Sequence, residues 1–106
     1  MTDSPGESVA ATQEVWRLRL YVAGQSPKSL RAFANLMAMC EEHLAGHYEI
    51  EINDVGEHPS IARRDDIVAV PTLVRRFPEP LRRIIGDLSD FDQVLAGLEL
   101  QSPSAP

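Results

Sequence analysis

Apolar and polar residues alternate along two stretches in the first half of the chain, and this period of two predicts β-strands with one covered face. The first stretch runs from Val15 to Val22 and the second from Tyr48 to Asp54. The side of the first strand that we expect to face the core consists of Trp16, Leu18 and Leu20. The second strand is polar and charged on its other side, which suits a position at the edge of a sheet.

Between these strands the apolar period changes to three and four residues, which predicts a helix with one buried stripe. Ser26 is the predicted N-cap and Pro27 the first helical residue, because proline lacks the N–H that this position leaves unbonded. The helix is expected to end near Leu44, just before Gly46. The stripe predicted to be buried consists of Leu30, Phe33, Met37, Cys40 and Leu44.

Prolines divide the segment that follows the second strand. Pro59 precedes a short predicted helix from Ser60 to about Arg64. Pro71 then disfavours a helical conformation in the residue before it, so the chain is expected to enter a strand from Thr72 to Arg76 in an extended conformation.

A further strand and a final helix complete the predicted fold. Pro78 and Pro80 interrupt the chain, and a strand resumes from Leu81 to Ile85. Ser89 is the predicted N-cap of the last helix, because a hydroxyl oxygen can accept a bond from the first free N–H groups. The apolar stripe of this helix consists of Phe91, Val94, Leu95 and Leu98.

The predicted order of elements is β-α-β-α-β-β-α, an α/β fold class with a thioredoxin-like order. A strand, a crossover helix and a parallel strand form a right-handed βαβ unit, to which the hairpin adds two antiparallel strands. We expect one domain over residues 15–100. Residues 1–14 and 101–106 are polar and lack periodicity, so we expect them to be disordered tails.

Composition narrows the choice of compartment and partner. The chain has 106 residues, enough for one core, and no stretch reaches the ~20 apolar residues that a membrane span needs. Its polar start lacks the pattern of a signal peptide, so we expect a cytoplasmic protein that binds no membrane. A single cysteine permits no internal disulfide, and a formal net charge of −6 argues against nucleic acid as a partner.

The positive charge is concentrated in one segment. Between residues 63 and 83 the sequence has six arginines and three carboxylates, whereas the rest of the chain is strongly acidic. The arginines are Arg63, Arg64, Arg75, Arg76, Arg82 and Arg83. Guanidinium groups on an acidic body favour a docking surface for the carboxylates of a partner, and a solvated face of the strands is the alternative.

A thioredoxin-like order raises the question of disulfide exchange. That chemistry needs a thiolate at the start of the first helix, but residues 24–27 contain no cysteine, and Cys40 is predicted to be buried and inert. His43, His47 and His58 lack further ligands at zinc-site spacing. We therefore expect a binding module with no catalytic residue, no metal and no cofactor. A thioredoxin-like stress or redox-associated protein with a different partner is the alternative.

Five short motifs occur together over residues 16–100. They are Leu18 to Gly24, Ser26-Pro27, the Val-Pro-Thr-Leu run from Val70, the run from Arg82 to Ser89, and Val94 to Leu98. Together they resemble the KaiB family of circadian clock proteins. The Gly-Asp-Leu-Ser sequence after two isoleucines is specific, because a generic strand, turn and helix do not require it.

The resemblance implies a non-catalytic clock regulator. Such a protein binds the N-terminal ATPase ring of a KaiC-like hexameric ATPase as a thioredoxin-like monomer and modulates its phosphorylation and ATPase cycle. The resemblance also implies an alternative fold, assembled as dimers or tetramers, in which the C-terminal half is rebuilt. A slow fold switch then delays binding, because the competent state is a minor population. A sensor histidine kinase that competes for KaiC is a further implied partner.

The resemblance also assigns roles to individual positions. The implied partner-binding residues are His58, Asp65, Asp66, Arg75, Arg82 and Arg83. The implied fold-switch residues are Pro71, Pro78, Pro80 and Gly97. Glycine inside a helix costs about 1 kcal/mol relative to alanine, so Gly97 weakens the last helix. Glu51 stands where cyanobacterial relatives carry the lysine that captures KaiA, so KaiA binding is not implied.

Overall fold

Seven elements follow one another in the predicted order, β-α-β-α-β-β-α. The structure, a computed structural model, describes residues 15–100, and the predicted tails at 1–14 and 101–106 lie outside the described residues. The strands are β1 (Trp16–Val22), β2 (Tyr48–Asp54), β3 (Thr72–Phe77) and β4 (Arg82–Ile85). The helices are α1 (Pro27–His43), α2 (Pro59–Arg64) and α3 (Phe91–Leu98). The predicted α/β class is confirmed.

The four strands form one sheet in the order β2-β1-β3-β4. β1 is parallel to β2 and antiparallel to β3, so the crossover and the hairpin are arranged as predicted, with β2 at an edge. The β1–β3 register shifts once, since Leu18 lies opposite Arg75 whereas Arg17 lies opposite Phe77. Arg76 is therefore the extra residue of a β-bulge, a feature that re-aims a side chain relative to the regular ladder.

The two faces of the sheet are covered differently. α1 and α3 pack on one face, the core face, where apolar burial at ~25 cal/mol per Å² stabilises the fold. Fully buried members of this core include Leu20, Leu36, Cys40, Leu73 and Leu98. The other face, the open face, carries alternating charged residues on β1 and β2. α2 lies over one end of the open face, where Asp65 bonds to the buried Tyr21.

The side of α1 that faces the sheet is rotated from the predicted stripe. Cys40 and Leu44 are buried as predicted, but Leu30 and Phe33 are 53% and 43% exposed. The buried side consists of Ser29, Ala32, Leu36, Met39 and Cys40. Small residues let the helix approach the sheet, and the Ser29 hydroxyl accepts a hydrogen bond from the Ala23 N–H at 3.2 Å. The prediction was wrong because both stripes have helical spacing and hydrophobicity alone favoured the larger side chains.

The start of α3 also differs from the prediction. Asp90, and not Ser89, is the N-cap, since its carboxylate accepts a hydrogen bond from the Gln93 N–H at 3.2 Å. The Ser89 N–H instead donates to the Asp87 carboxylate at 3.1 Å. Ser89 therefore belongs to the turn that precedes the helix.

Candidate partner-binding surface

Asp65, directly after α2, is the most extensively bonded of the predicted partner-binding carboxylates. Its Oδ2 accepts hydrogen bonds from the Tyr21 hydroxyl at 2.6 Å and from Arg19 at 3.2 Å. Its Oδ1 accepts from Arg64 Nε at 2.9 Å. The bond from Arg64, and then the bond from Tyr21, hold the pKa of Asp65 well below its usual range. Asp65 is therefore a fixed anion that attaches α2 to the open face.

Asp66 and Arg83 lie beside Asp65. The Arg83 guanidinium, on β4, donates to the Asp66 carbonyl oxygen at 2.8 Å and to the Asp65 carbonyl oxygen at 3.3 Å. The Asp66 carboxylate is 3.8 Å from Arg83 and 85% exposed. The structure thus brings together three of the predicted partner-binding residues from two separate parts of the sequence.

These residues line a shallow depression of about 220 Å³ on the open face. We call it the α2–β4 surface, and its principal residues are Arg64, Asp65, Asp66, Arg76, Leu81 and Arg83. Two apolar positions at this edge were missed by the sequence analysis: Leu81 and Ile85 are 49% and 60% exposed. The available signal was the alternation of Leu81, Arg83 and Ile85, which a period of two places on one side of an edge strand.

Two predicted partner-binding residues lie apart from the α2–β4 surface. His58 occupies the N-cap position of α2, at the end of the helix away from Asp65, and makes no side-chain capping bond. Arg82 and Arg83 are consecutive residues of β4, so they lie on opposite faces of the strand. The Arg82 guanidinium is 2.5 Å from the Glu99 carboxylate. Neither residue contributes to the depression.

Arg75 is in the interior, with a side chain that is 3% exposed. Its guanidinium donates to the Leu98 carbonyl oxygen and, at 2.8 Å, to the Pro80 carbonyl oxygen. Its Cζ lies 5.2 Å from the centre of the Trp16 ring, within the range of a cation–π contact. Arg75 therefore binds the C-terminal end of α3, and in this conformation a partner protein cannot reach it.

Residues 19–100 match the model of the KaiB domain. The chain belongs to the KaiB family. The circadian clock oscillator protein KaiB of Prochlorococcus marinus (strain MIT 9312) is 46% identical over 90 residues, which cover 85% of this chain and 86% of that protein. The circadian clock protein KaiB3 of Synechocystis sp. (strain ATCC 27184 / PCC 6803 / Kazusa) is 46% identical over 83 residues, 78% of this chain and 81% of that protein.

Solved structures confirm the thioredoxin-like fold predicted for this KaiB-family chain. Mitochondrial thioredoxin 3 of Saccharomyces cerevisiae matches with a TM-score of 0.63 at 20% identity, covering 83% of this chain and 81% of that one. The N-terminal domain of Synechococcus elongatus SasA matches with a TM-score of 0.59 at 23% identity, covering 83% and 87%. At these identities the likeness concerns the fold alone.

The loop before α1 in this KaiB-family chain is held by a carboxylate. Asp54 Oδ1 accepts hydrogen bonds from the N–H groups of Gly24 at 3.0 Å, Gly56 at 2.8 Å and Glu57 at 3.3 Å. These bonds, that of Gly24 first, lower the pKa of Asp54. Asp54 therefore ties the first loop to the turn after β2, at the position where disulfide exchange would require a thiolate.

Cys40 lies in the core at 0% exposure. Burial, and then the charge of Glu41, raises the pKa of its thiol to about 12. The geometry of Cys40 thus gives no support to the redox alternative.

The described residues offer no group of three His, Cys, Asp or Glu side chains that could hold a metal ion. Nor does any helix between residues 15 and 100 have the length and hydrophobicity to cross a membrane.

We expect Cys40→Ser to lower the free energy of unfolding by about 1–2 kcal/mol, because a polar hydroxyl would lose its hydration in this apolar site. Binding to a partner should not change. Urea unfolding and a binding assay measure the two effects. In the wild type, a thiol reagent should label Cys40 far more slowly in buffer than in urea. Rapid labelling of the folded protein, or reduction of insulin by it, would contradict this account.

Proposed function

We propose that this chain is a non-catalytic clock regulator that binds the N-terminal ATPase ring of a KaiC-type hexamer and modulates its phosphorylation and ATPase cycle. Membership of the KaiB family supports this choice of partner, and the matched relatives are named as circadian clock proteins. The observation that carries the proposal is the α2–β4 surface, which combines exposed charges of both signs with exposed apolar groups.

The composition of the α2–β4 surface fits a protein partner better than a small molecule. The depression is open, whereas ligand pockets are concave and mostly apolar. The Asp65 carboxylate accepts hydrogen bonds from within the chain, and these bonds fix the position of residue 65. The Asp65 carbonyl oxygen, which accepts a bond from Arg83, is therefore also fixed. Asp66 and Arg83 offer one charge of each sign, and Leu81 and Ile85 offer apolar area. Charges that complement a partner orient it, while apolar burial adds affinity.

We propose that a slow change of fold in the C-terminal half gates this binding. Within the described residues, the β1–β3 ladder is the strand pairing that joins residues 16–54 to residues 72–100. The alternative fold would form dimers or tetramers and would lose the α2–β4 surface, so apparent affinity would follow the population of the thioredoxin-like state. The predicted fold-switch prolines lie directly beside β3, with Pro71 before it and Pro78 and Pro80 after it.

Gly97 has a packing role in this structure. A Cβ at this position would lie 3.0 Å from Ile84 Cδ1 and 3.1 Å from Ile84 Cγ1, so alanine would press on β4. We expect the single substitution Gly97→Ala to leave the stability nearly unchanged or to lower it. Crowding between the new Cβ and Ile84 offsets the ~1 kcal/mol by which alanine favours a helix over glycine. In an Ile84→Ala background the same substitution should stabilise the thioredoxin-like state by up to about 1 kcal/mol.

Urea unfolding of the four proteins in this cycle, with monomer fractions from size-exclusion chromatography, measures the coupling between Gly97 and Ile84. Equal effects of Gly97→Ala in both backgrounds would show that the contact with Ile84 is unimportant. A monomer fraction that changes in step with stability would support Gly97 as a fold-switch residue.

Two further clock proteins, KaiA and a sensor histidine kinase, are considered as partners. The Glu51 carboxylate is 3.1 Å from the Arg19 guanidinium, so its charge is already paired within the sheet, which supports a chain that does not capture KaiA. We propose that a sensor histidine kinase competes for the same ring. The SasA domain has the same thioredoxin-like fold, which makes it a suitable competitor with which to test this proposal.

The decisive experiment is binding of the full chain to the cognate KaiC-type ATPase in the presence of ATP or ADP. We expect the two proteins to co-elute in size-exclusion chromatography and the rate of ATP hydrolysis to change. The cognate histidine kinase should displace the chain. Absence of binding with either nucleotide, over a time long enough for a slow fold change, would overturn the proposal.

A further inference from the structure

Arg76, the extra residue of the β-bulge in β3, has no carboxylate partner among residues 15–100, although other arginines on the open face do. Arg17 lies 3.9 Å from the Glu49 carboxylate, and Arg19 lies 3.1 Å from the Glu51 carboxylate. Arg83 is similarly close to a carboxylate on the α2–β4 surface. Within residues 15–100, Arg76 thus has no carboxylate to offset its charge, on a face where Arg17, Arg19 and Arg83 each have one.

Arg76 also lies where three depressions of the open face meet. One is the α2–β4 surface. A second, of about 330 Å³, is shared with Arg17 and Glu51, and a third, of about 430 Å³, is shared with Val15 and Phe77. Val15 and Phe77 are partly exposed. The three depressions form a track across β1 and β3, apolar at Phe77 and charged at the α2–β4 surface. We call it the Arg76 track.

The Arg76 track crosses the antiparallel strands β1 and β3, and an antiparallel sheet can leave one face open to water. Among the described residues, α2 is six residues long and lies over the Tyr21 end of the open face, away from Phe77. An unpaired guanidinium presents a planar fork that binds carboxylates with two hydrogen bonds. The carboxylates of Glu49 and Glu51 would repel an acidic group from the neighbouring strand β2. An acidic ligand can therefore be anchored at Arg76.

We propose that Arg76 anchors a carboxylate of an acidic segment of the clock partner, which lies along the Arg76 track with an apolar side chain against Val15 and Phe77. The identity of that partner rests on the proposed function. The α2–β4 surface and the Arg76 track together form one continuous binding face. The fork at Arg76 determines how the partner segment is oriented on it.

Arg76→Gln should weaken binding of the cognate ATPase ring by about fivefold or more. Arg76→Lys should weaken it less, because lysine keeps the charge but lacks the planar fork. Lys28→Gln is the matched control, since Lys28 is an exposed cation on α1, on the other side of the sheet, and its loss should change binding by less than about twofold. If Arg76→Gln binds like Lys28→Gln while Arg83→Glu is impaired, the inference fails and the proposed function stands.

A second measurement does not depend on the ring. The peptide Ac-Leu-Asp-Leu-Glu-Leu-NH2 should shift the Arg76 Nε–Hε resonance in NMR spectra, and its Asn and Gln counterpart should not. Equal responses to the two peptides, or none, would overturn the inference whatever the ring does. A shift by the acidic peptide alone, together with failure of the ring to bind, would support the anchor and overturn the proposed partner.

The rival occupant is an acidic segment of the chain itself. Asp3, Glu7 and Glu14 lie outside the described residues and carry carboxylates. A variant with Asp3→Asn, Glu7→Gln and Glu14→Gln should leave the Arg76 resonance of the free protein unchanged. A shift of that resonance in the variant would assign the track to the chain's own segment and overturn its assignment to a partner.

Discussion

Arg83→Glu should weaken association with the cognate KaiC-type ring by about tenfold or more, a loss of about 1.4 kcal/mol. Arg83 presents an exposed cation of the α2–β4 surface and donates to the carbonyl oxygens of Asp65 and Asp66. Glutamate would place a third carboxylate beside Asp65 and Asp66, so the surface would lose one of its positive groups and gain a charge that repels an acidic partner site. Association kinetics measured at low and high salt test this, because screening should reduce the difference.

Arg31→Glu is the matched control for Arg83→Glu. Arg31 is also exposed and paired with a carboxylate, lying 3.3 Å from Asp87, but it belongs to α1 on the other side of the sheet. Both substitutions change the net charge by the same amount. Circular dichroism and urea unfolding establish that each variant is folded. Binding of folded Arg83→Glu that matches the binding of Arg31→Glu would exclude the α2–β4 surface as the interface.

Arg75→Met should lower the free energy of unfolding by about 3 kcal/mol. Methionine preserves much of the apolar volume but leaves the Leu98 and Pro80 carbonyl oxygens without their donor. It also removes the cation from the Trp16 ring. α3 and the turn before β4 should therefore loosen together.

Arg76→Met is the control for Arg75→Met, since the adjacent arginine is exposed and has no carboxylate partner in the part of the chain that the structure describes. We expect Arg76→Met to change stability by no more than about 0.5 kcal/mol. Chemical unfolding followed by tryptophan fluorescence compares the two variants, because Trp16 lies against Arg75. Similar losses in both variants would mean that the buried contacts of Arg75 contribute little.

The pair Arg75-Arg76 also shows what the sequence could have revealed about the binding surface. The sequence places both arginines in one basic segment, and the family resemblance implies a partner contact for Arg75. Consecutive residues of a strand point to opposite faces, so one of the two had to lie on the core side of the sheet. Which one does so depends on the register with β1. The sequence does not encode that register locally, because the two strands are far apart along the chain.

The features that the sequence predicts correctly are those set by interactions between residues close together in the chain. The alternation along β1, the proline at the start of α1 and the prolines around β3 all act within a few residues, and the element order followed from them. The rotation of α1 was not predictable in this way, since Ser29 and Ala32 are buried because of the sheet beneath them. The bond between Tyr21 and Asp65 is likewise a tertiary contact, and no spacing in the sequence indicates it.

The position of β1 between β2 and β3 has a consequence for any rearrangement of the C-terminal half. Backbone amides alternate in direction along a strand, so one set on β1 donates towards β2 and the other set towards β3. Withdrawal of β3 would leave the first set bonded within the N-terminal βαβ unit and the second set unpaired. β1 would then become a fresh sheet edge that can accept a new strand from this chain or from another copy. In any such rearrangement β1 would thus keep β2 as one neighbour, and only its second neighbour would change.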